Sequence, residues 1–292
     1  MEDFELTLYD RLEVIRNVNK EYDLEKNAYI GFSGGKDSTV IHYLIDLALP
    51  NNNIPRVFIN TGIEYNDIVK FVEELQKNDD RFVIVKPSKP ILKTLETYGY
   101  PFKSKKFSNM VDIFNRRGML DGIKKFVADT RDGCPKKLQY IFEEQNTLGF
   151  PVSNKCCDQL KKQPSKKWRK ENGKNITITG IMSEEGGTRK IIKGCIVDRK
   201  KENYINFHPL LVCSKEFEQW FIEKYNVKLC KLYYPPYNFR RTGCKGCPFA
   251  LKLKDQLDVM EEHLPNERKQ CEVIWKPVYE EYRRIGYRLK ER

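Results

Sequence analysis

The chain has 292 residues, 40% hydrophobic and 32% charged, which is ordinary for a globular protein and enough to bury a full core. No apolar run approaches the ~20 residues that cross a bilayer, and the first ten residues lack a secretory pattern, so a cytoplasmic protein without membrane contact is the expectation. The formal charge of +12 points toward polyanionic partners, and nine cysteines in such a compartment suit metal ligation or redox work better than disulfides.

In chain order, Leu8, Leu12, Ile15 and Val18 recur at helical spacing and predict an amphipathic N-terminal helix. Ala28 to Phe32 reads as a short buried strand, and Thr39 to Leu49 as a helix with Val40, Tyr43, Leu44 and Leu47 on one face. Asn51 to Pro55 is a turn, Arg56 to Ile59 a strand, Asp67 to Leu75 a helix and Phe82 to Val85 a strand. This alternation predicts an α/β fold with a doubly wound, mostly parallel sheet. Residues 93–149 read as a mostly helical insertion with loops at Pro101 and Gly133. Strands follow at Ile176 to Ile181 and Asn203 to Phe207, then a helix from Lys215 to Tyr225 with Phe217, Trp220 and Phe221 inward. A loop at Leu232 to Asn238 precedes Arg240-Arg241-Thr242-Gly243-Cys244-Lys245-Gly246-Cys247, and the tail from Pro265 reads as one long helix. The expected organisation is a main domain over 1–250 and a helical extension over 251–292.

The most informative stretch joins the first strand to its helix: Ser33-Gly34-Gly35-Lys36-Asp37-Ser38. A glycine-rich turn there aims backbone N–H groups and the positive helix end at an anion. Gly34 and Gly35 allow close approach, Lys36 adds a mobile charge, and Ser33 and Ser38 offer hydroxyl donors. The ATPase P-loop does not fit, because the run from Gly31 is one residue short and Asp37 stands where the magnesium-binding hydroxyl belongs. Ligands of such sheets bind beyond the carboxyl ends of the strands, where the turn and Thr61-Gly62 both fall.

Two further features carry chemistry. Cys156-Cys157 and Cys244-x-x-Cys247 offer four thiolates, enough for a zinc ion or a 4Fe–4S cluster. The stretch Lys155 to Lys174 is strongly basic; nucleic acid, a small polyanionic nucleotide and a solvated face all suit it. Glu184-Glu185 is a candidate for magnesium or base chemistry, and His208 for a ligand contact.

Taken together, SGGKDS, the tandem Cys156-Cys157 and the distant Cys244-x-x-Cys247 resemble the phosphoadenosine phosphosulfate reductase family, and most its iron–sulfur branch, within the PP-loop adenine-nucleotide alpha-hydrolase superfamily. Thr61-Gly62 with Glu64, Phe207-His208-Pro209-Leu210 and Arg241-Thr242-Gly243-Cys244 match further pieces in order. The resemblance spans roughly residues 28 to 250. It implies an adenine nucleotide, either ATP or a sulfonucleotide (APS or PAPS), held by Ser33 to Ser38, Thr61, Gly62, Glu64, Gly180, Arg189, Arg240 and Arg241. Cys156, Cys157, Cys244 and Cys247 would bind a 4Fe–4S cluster, with Mg²⁺ present if ATP is the nucleotide.

Departures qualify what is implied. Asn60 and Met182 replace a family aspartate and arginine. Assimilatory reductases attack the sulfonucleotide with a C-terminal cysteine, and after Cys247 this chain offers only Cys271, within a predicted helix. Lys36 and Cys271 are the catalytic candidates. Three functions stay open: sulfonucleotide reduction; ATP-dependent adenylation for sulfur transfer, including phosphorothioation-type sulfur insertion into nucleic acid; and nucleotide or redox sensing without turnover. A thiol or sulfur-donor protein is the implied partner, nucleic acid would meet the Lys155–Lys174 stretch, and a homodimer stays open.

Overall fold

The computed structural model describes residues 3–186, 189–199 and 203–290, with Glu185 described by its backbone alone. The chain forms two compact units, one of Met1–Asn60, Asn66–Lys86 and Pro164–Thr242, the other of Thr61–Tyr65, Pro87–Gln163 and Gly243–Arg292. This partition cuts the chain differently from a 1–250 and 251–292 division.

The first unit carries the whole sheet. Its strands are β1 (Ala28–Phe32), β2 (Arg56–Ile59), β3 (Phe82–Val85), β4 (Ile176–Ile178), β5 (Ile196–Arg199) and β6 (Tyr204–Phe207), in the order β3-β2-β1-β4-β6-β5. All neighbours are parallel except β5, which pairs antiparallel with β6 at the edge. The fold is therefore α/β with a mostly parallel sheet. β1 is a continuous apolar run with Ala28, Tyr29, Ile30 and Phe32 buried, as a strand covered on both faces requires.

Its helices are α1 (Asp3–Tyr22), α2 (Leu24–Asn27), α3 (Lys36–Ala48), α4 (Asn66–Asn78) and, later, α9 (Lys215–Lys224). Ile15 and Val18 of α1, Val40, Ile41, Leu44 and Ile45 of α3, Ile176 and Ile178 of β4, and Phe217 and Phe221 of α9 close one core. Leu12 is only half-buried, and Arg11 takes the inward place, donating to the Pro209 carbonyl at 3.2 Å. Trp220 is likewise half-buried. The strand expected to run to Ile181 ends at Ile178, and α3 begins at Lys36 rather than Thr39.

The second unit is helical: α5 (Ile91–Tyr98), α6 (Lys105–Arg117), α7 (Asp121–Ala128), a 3₁₀ turn at Lys136–Phe142, and α10 (Leu253–His263), α11 (Pro265–Ile274) and α12 (Lys276–Arg284). Helix α8 (Gln163–Glu171) starts at its boundary with the first unit. Phe107, Phe126 and Phe142 pack edge to face, Phe102 lies against Phe107, and Phe102 meets Tyr282 at 4.9 Å. The Tyr282 hydroxyl accepts from the Lys103 N–H at 2.7 Å. The insertion and the tail thus share one aromatic core. The single helix expected from Pro265 onward is two, α11 and α12, because Pro277 lies in a first helical turn, as Pro265 does at the start of α11. Proline there lacks no needed N–H, whereas within a longer helix it would break the ladder. No helix among the described residues is long and apolar enough to cross a membrane.

Candidate functional site

The sheet order changes direction between β1 and β4, and the turn Ser33–Gly35 leaves the carboxyl end of β1 at that switch point, the place where parallel sheets bind ligands. Gly34 has a φ of +70°, and a Cβ there would stand 2.8 Å from the Ile68 Cγ2, so only glycine fits both the backbone and the space. Gly35 caps α3 without any side-chain cap bond. The helix N-terminus therefore carries no N-cap side-chain bond, which leaves its N-terminal end open to an anion.

Hydroxyls fix the turn from inside. Ser33 Oγ and Ser38 Oγ are 3.0 Å apart, Ser33 N–H donates to Ser38 Oγ at 3.1 Å, and Gly35 N–H donates to Ser33 Oγ at 3.3 Å. Tyr233 supports it from outside: its oxygen accepts from the Lys36 N–H at 3.3 Å, leaving its proton for Thr242 Oγ1 at 2.6 Å. Burial pushes the Tyr233 phenol up to about 12, so that proton stays. The Lys36 ammonium lies 5.6 Å from the centre of the Tyr233 ring, a cation–π rest position from which it can swing to an anion.

Beneath the turn, Gly180 approaches so closely that a Cβ would stand 2.7 Å from the Asp37 carbonyl oxygen. Its place is therefore fixed by packing under the loop. Asp37 Oδ1 and Glu218 Oε2 each lie 3.1 Å from the Lys215 ammonium. Burial, and then Asp37 itself, raise the buried Glu218 carboxyl. Burial alone would lower Lys215, but the two carboxylates outweigh it and hold it charged. Lys215, Glu218 and Tyr233 escaped the sequence reading because they lie far along the chain and carry no motif.

Arg240 and Arg241 are exposed in this unit, two residues or fewer before Thr242. Arg189 is half-buried. Met182, at the position of the family's arginine, is fully buried in the core. His208 bonds Thr179 Oγ1 at 2.8 Å, and burial lowers its basicity, so it ties β4's exit to β6. Glu184 accepts from the Lys215 N–H at 2.8 Å and so helps cap α9. The Glu185 side chain, Gly187 and Thr188 lie outside the described residues.

Thr61, Gly62 and Glu64, expected at the nucleotide, belong to the second unit with the cysteines. Glu64 accepts from Thr61 N–H at 2.8 Å and from its hydroxyl, and its carboxylate meets the Lys161 ammonium at 3.3 Å. Ile63 receives the Lys245 N–H at 2.9 Å, which docks this turn on the Cys244-x-x-Cys247 turn.

All nine cysteines are free thiols. Cys156 and Cys157 stand with their sulfurs 4.0 Å apart. Cys156 feels the charges of Cys157, Cys247 and Cys244, and its thiol is pushed up, first by its bond to Cys157 and then by burial. Cys157 is the acidic member, lowered by that bond and by Lys105, Lys161 and Lys162. Burial raises Cys244 and Cys247. Burial alone would lower Lys161, yet Cys244 and Glu64 hold its ammonium above the ordinary range. The four thiols thus share one low-dielectric neighbourhood with a cation beside it. As placed, no three His, Cys, Asp or Glu side chains among the described residues stand close enough to hold a single metal ion. Soft thiolates with a cationic neighbour suit a thiophilic cofactor in their donor chemistry.

Cys271 is not available. It is fully buried, burial pushes its thiol up to about 12, and its sulfur would stand 2.7 Å from a Cβ on Gly246. It packs the back of the cysteine turn. The basic stretch is partly engaged: Lys155 pairs with Asp112 at 3.5 Å, and Arg169 is buried with its guanidinium 3.8 Å from the Tyr204 ring centre. Lys162, Lys166, Lys167 and Lys170 remain exposed.

The chain matches the phosphoadenosine phosphosulfate reductase domain over residues 27–131 and 133–250. It is similar to two proteins of Methanocaldococcus jannaschii. The uncharacterized protein MJ0973 is 27% identical over 171 residues, 52% of this chain and 41% of that one. The uncharacterized protein MJ0066 is 27% identical over 121 residues, 41% of this chain and 24% of that one. The matches thus span less than half the length of these curated relatives. Among solved structures, phosphoadenylyl-sulfate (PAPS) reductase from Candida auris aligns at a TM-score of 0.47 and 14% identity, covering 79% of this chain and 87% of its own. The U34-tRNA thiolase NcsA of Methanococcus maripaludis, with its [4Fe-4S] cluster, aligns at 0.39 and 16%, covering 97% of this chain and 80% of its own.

Proposed function

We infer that this chain, which belongs to the phosphoadenosine phosphosulfate reductase family, is an ATP-dependent enzyme of sulfur transfer rather than a sulfonucleotide reductase acting through Cys271. The observation that carries this reading is the burial of Cys271, the one thiol that follows the Cys244-x-x-Cys247 turn. A nucleophilic thiol must be exposed and its proton easily lost; Cys271 is neither. The Ser33–Ser38 turn, by contrast, has what pyrophosphate release needs: a helix N-terminus whose glycine cap makes no side-chain cap bond, and a mobile lysine.

In this reading, ATP places its β- and γ-phosphates over Gly34 to Ser38, with Arg240 and Arg241 adding charge and Mg²⁺ bound by the phosphates. An oxygen of the acceptor attacks the α-phosphorus, the bond from that phosphorus to the bridging oxygen breaks, and pyrophosphate leaves with its developing charge held by Lys36 and the N–H groups. Sulfur from a donor protein then displaces AMP from the activated carbon or phosphorus. Cys156, Cys157, Cys244 and Cys247 would hold a 4Fe–4S cluster, which when bound supplies electrons or a site for sulfide. Lys161 and Glu64 balance charge beside those thiols. The exposed lysines between Lys155 and Lys174 favour a nucleic acid acceptor.

The test is anaerobic incubation of the iron-loaded protein with ATP, Mg²⁺ and a sulfide source, with RNA and DNA as acceptors, scoring pyrophosphate. Acceptor-dependent release that falls at least 100-fold in Lys36→Ala supports the reading. Reduction of adenylyl sulfate or its 3′-phosphate with an added dithiol, without ATP cleavage, contradicts it.

A further inference from the structure

The C-terminal helices border an open cleft that the nucleotide and thiol chemistry does not use. It has a volume of about 320 Å³ and is lined by Lys254, Leu257 and Asp258 of α10, Arg268 of α11, Arg283 of α12, and Leu289 and Lys290 beyond it. All seven residues lie beyond residue 250, where the match to the reductase family ends. The size falls at the lower end of pockets that take small molecules, ~300–1,000 Å³.

Its chemistry is two-sided. Leu257 and Leu289 are buried and give it an apolar floor. Four of the seven lining side chains are cations and one is a carboxylate. Part of this charge is already balanced. Glu272 receives both guanidinium groups, Arg268 also meets Glu261 at 3.3 Å, and Lys254 meets Asp258 at 2.7 Å. The shared Glu272 serves two arginines at once, which fixes both guanidinium planes and leaves each with unused N–H donors, since a guanidinium carries five. Lys290 has no carboxylate partner among the described residues. Fixed guanidinium forks beside an exposed ammonium are the arrangement that recognises a phosphate group.

We propose that this cleft is a second binding site, which takes a phosphate-bearing ligand of about mononucleotide size. The phosphate lies against Arg268, Arg283 and Lys290, and the planar or apolar body rests on Leu257 and Leu289. Asp258 and Glu272 set the limit on charge: they leave room for one phosphate rather than a polyphosphate.

The experiment is calorimetry on the full chain carrying Lys36→Ala, which removes the family's own nucleotide site from the reading. AMP, adenosine and inorganic phosphate are titrated separately. The expected result is AMP binding at least ten-fold tighter than either adenosine or phosphate, lost by ten-fold or more when Lys290→Gln is added. Lys290 is exposed, so that variant keeps its fold; Arg283→Gln is the second variant, checked by circular dichroism. Equal affinity for AMP and phosphate, no binding of AMP below 5 mM, or AMP binding unchanged in both pocket variants would overturn the proposal. A single-stranded oligonucleotide added as competitor separates the sources: displacement of AMP assigns the phosphate to a nucleic acid strand, and its absence to a free nucleotide.

Discussion

At the scale of single residues, Gly180 and His42 show how much of the site rests on side chains or their absence outside the motif. Gly180→Ala places a methyl 2.7 Å from the Asp37 carbonyl, and backbone cannot move aside as a side-chain tip can. We expect a loss of ~1–3 kcal/mol in urea unfolding, together with weaker nucleotide binding as the first turn of α3 shifts. Unchanged stability would mean that the strand exit moves freely. His42 belongs to a buried network in which it accepts from Arg56 Nε at 3.1 Å, while Arg56 and Arg81 share Asp46. Burial, and then the charge of Arg56, lower His42 to about 4. Below the unfolded value of about 6.5 the unfolded chain takes up a proton that the folded chain refuses, so stability is lost as pH falls from ~6.5 toward ~4, by up to about 3 kcal/mol. Urea midpoints at pH 7 and pH 4.5 measure this, and His42→Gln should flatten the difference. An equal pH dependence in that variant would remove His42 from the account.

At the scale of elements, what could be read from the sequence follows from what each element depends on. β1, β2 and β3 were legible to the residue, because each is a short run dominated by β-branched and aromatic side chains bounded by turns. β5 was not: Ile196–Arg199 is half-exposed at the sheet edge and pairs antiparallel with β6, so its residues carry no buried pattern. The tail from Pro265 has helical spacing throughout, and its division lies at Pro277, which a helix accommodates only in its first turn. The Ser33–Ser38 turn and the four cysteines stand out in the sequence because backbone geometry and thiol chemistry constrain residue type. Lys215, Glu218 and Tyr233 do not, since a lysine, a glutamate or a tyrosine fits many helices and loops. Helix α9 itself offers a test. Ser214 Oγ accepts from Phe217 N–H at 3.1 Å and Glu184 from Lys215 N–H, a double cap beside the Lys215–Asp37 contact. Ser214→Ala should cost ~1 kcal/mol and reduce nucleotide affinity a few-fold. A stable variant with unchanged affinity would separate α9 from the loop.

At the scale of the whole molecule, the division into two units explains why the 93–149 insertion resisted reading. Its helices carry no chemistry of their own; with the tail they build the aromatic core of the unit in which Cys156, Cys157, Cys244 and Cys247 reside. The thiol centre should therefore depend on that core. Cys244→Ala should lose the bound iron and the brown colour, and full iron content would take Cys244 out of the ligand set. The central claim is the choice of nucleotide. Anaerobic calorimetry of the iron-loaded protein, titrating ATP with Mg²⁺, adenylyl sulfate and its 3′-phosphorylated form side by side, tests it most directly. Our account predicts tight binding of ATP, at least ten-fold tighter than either sulfonucleotide, and loss of that binding in Lys36→Ala. Tight binding of a sulfonucleotide with weak ATP would contradict it and return the chain to sulfonucleotide reduction through a thiol supplied by a partner.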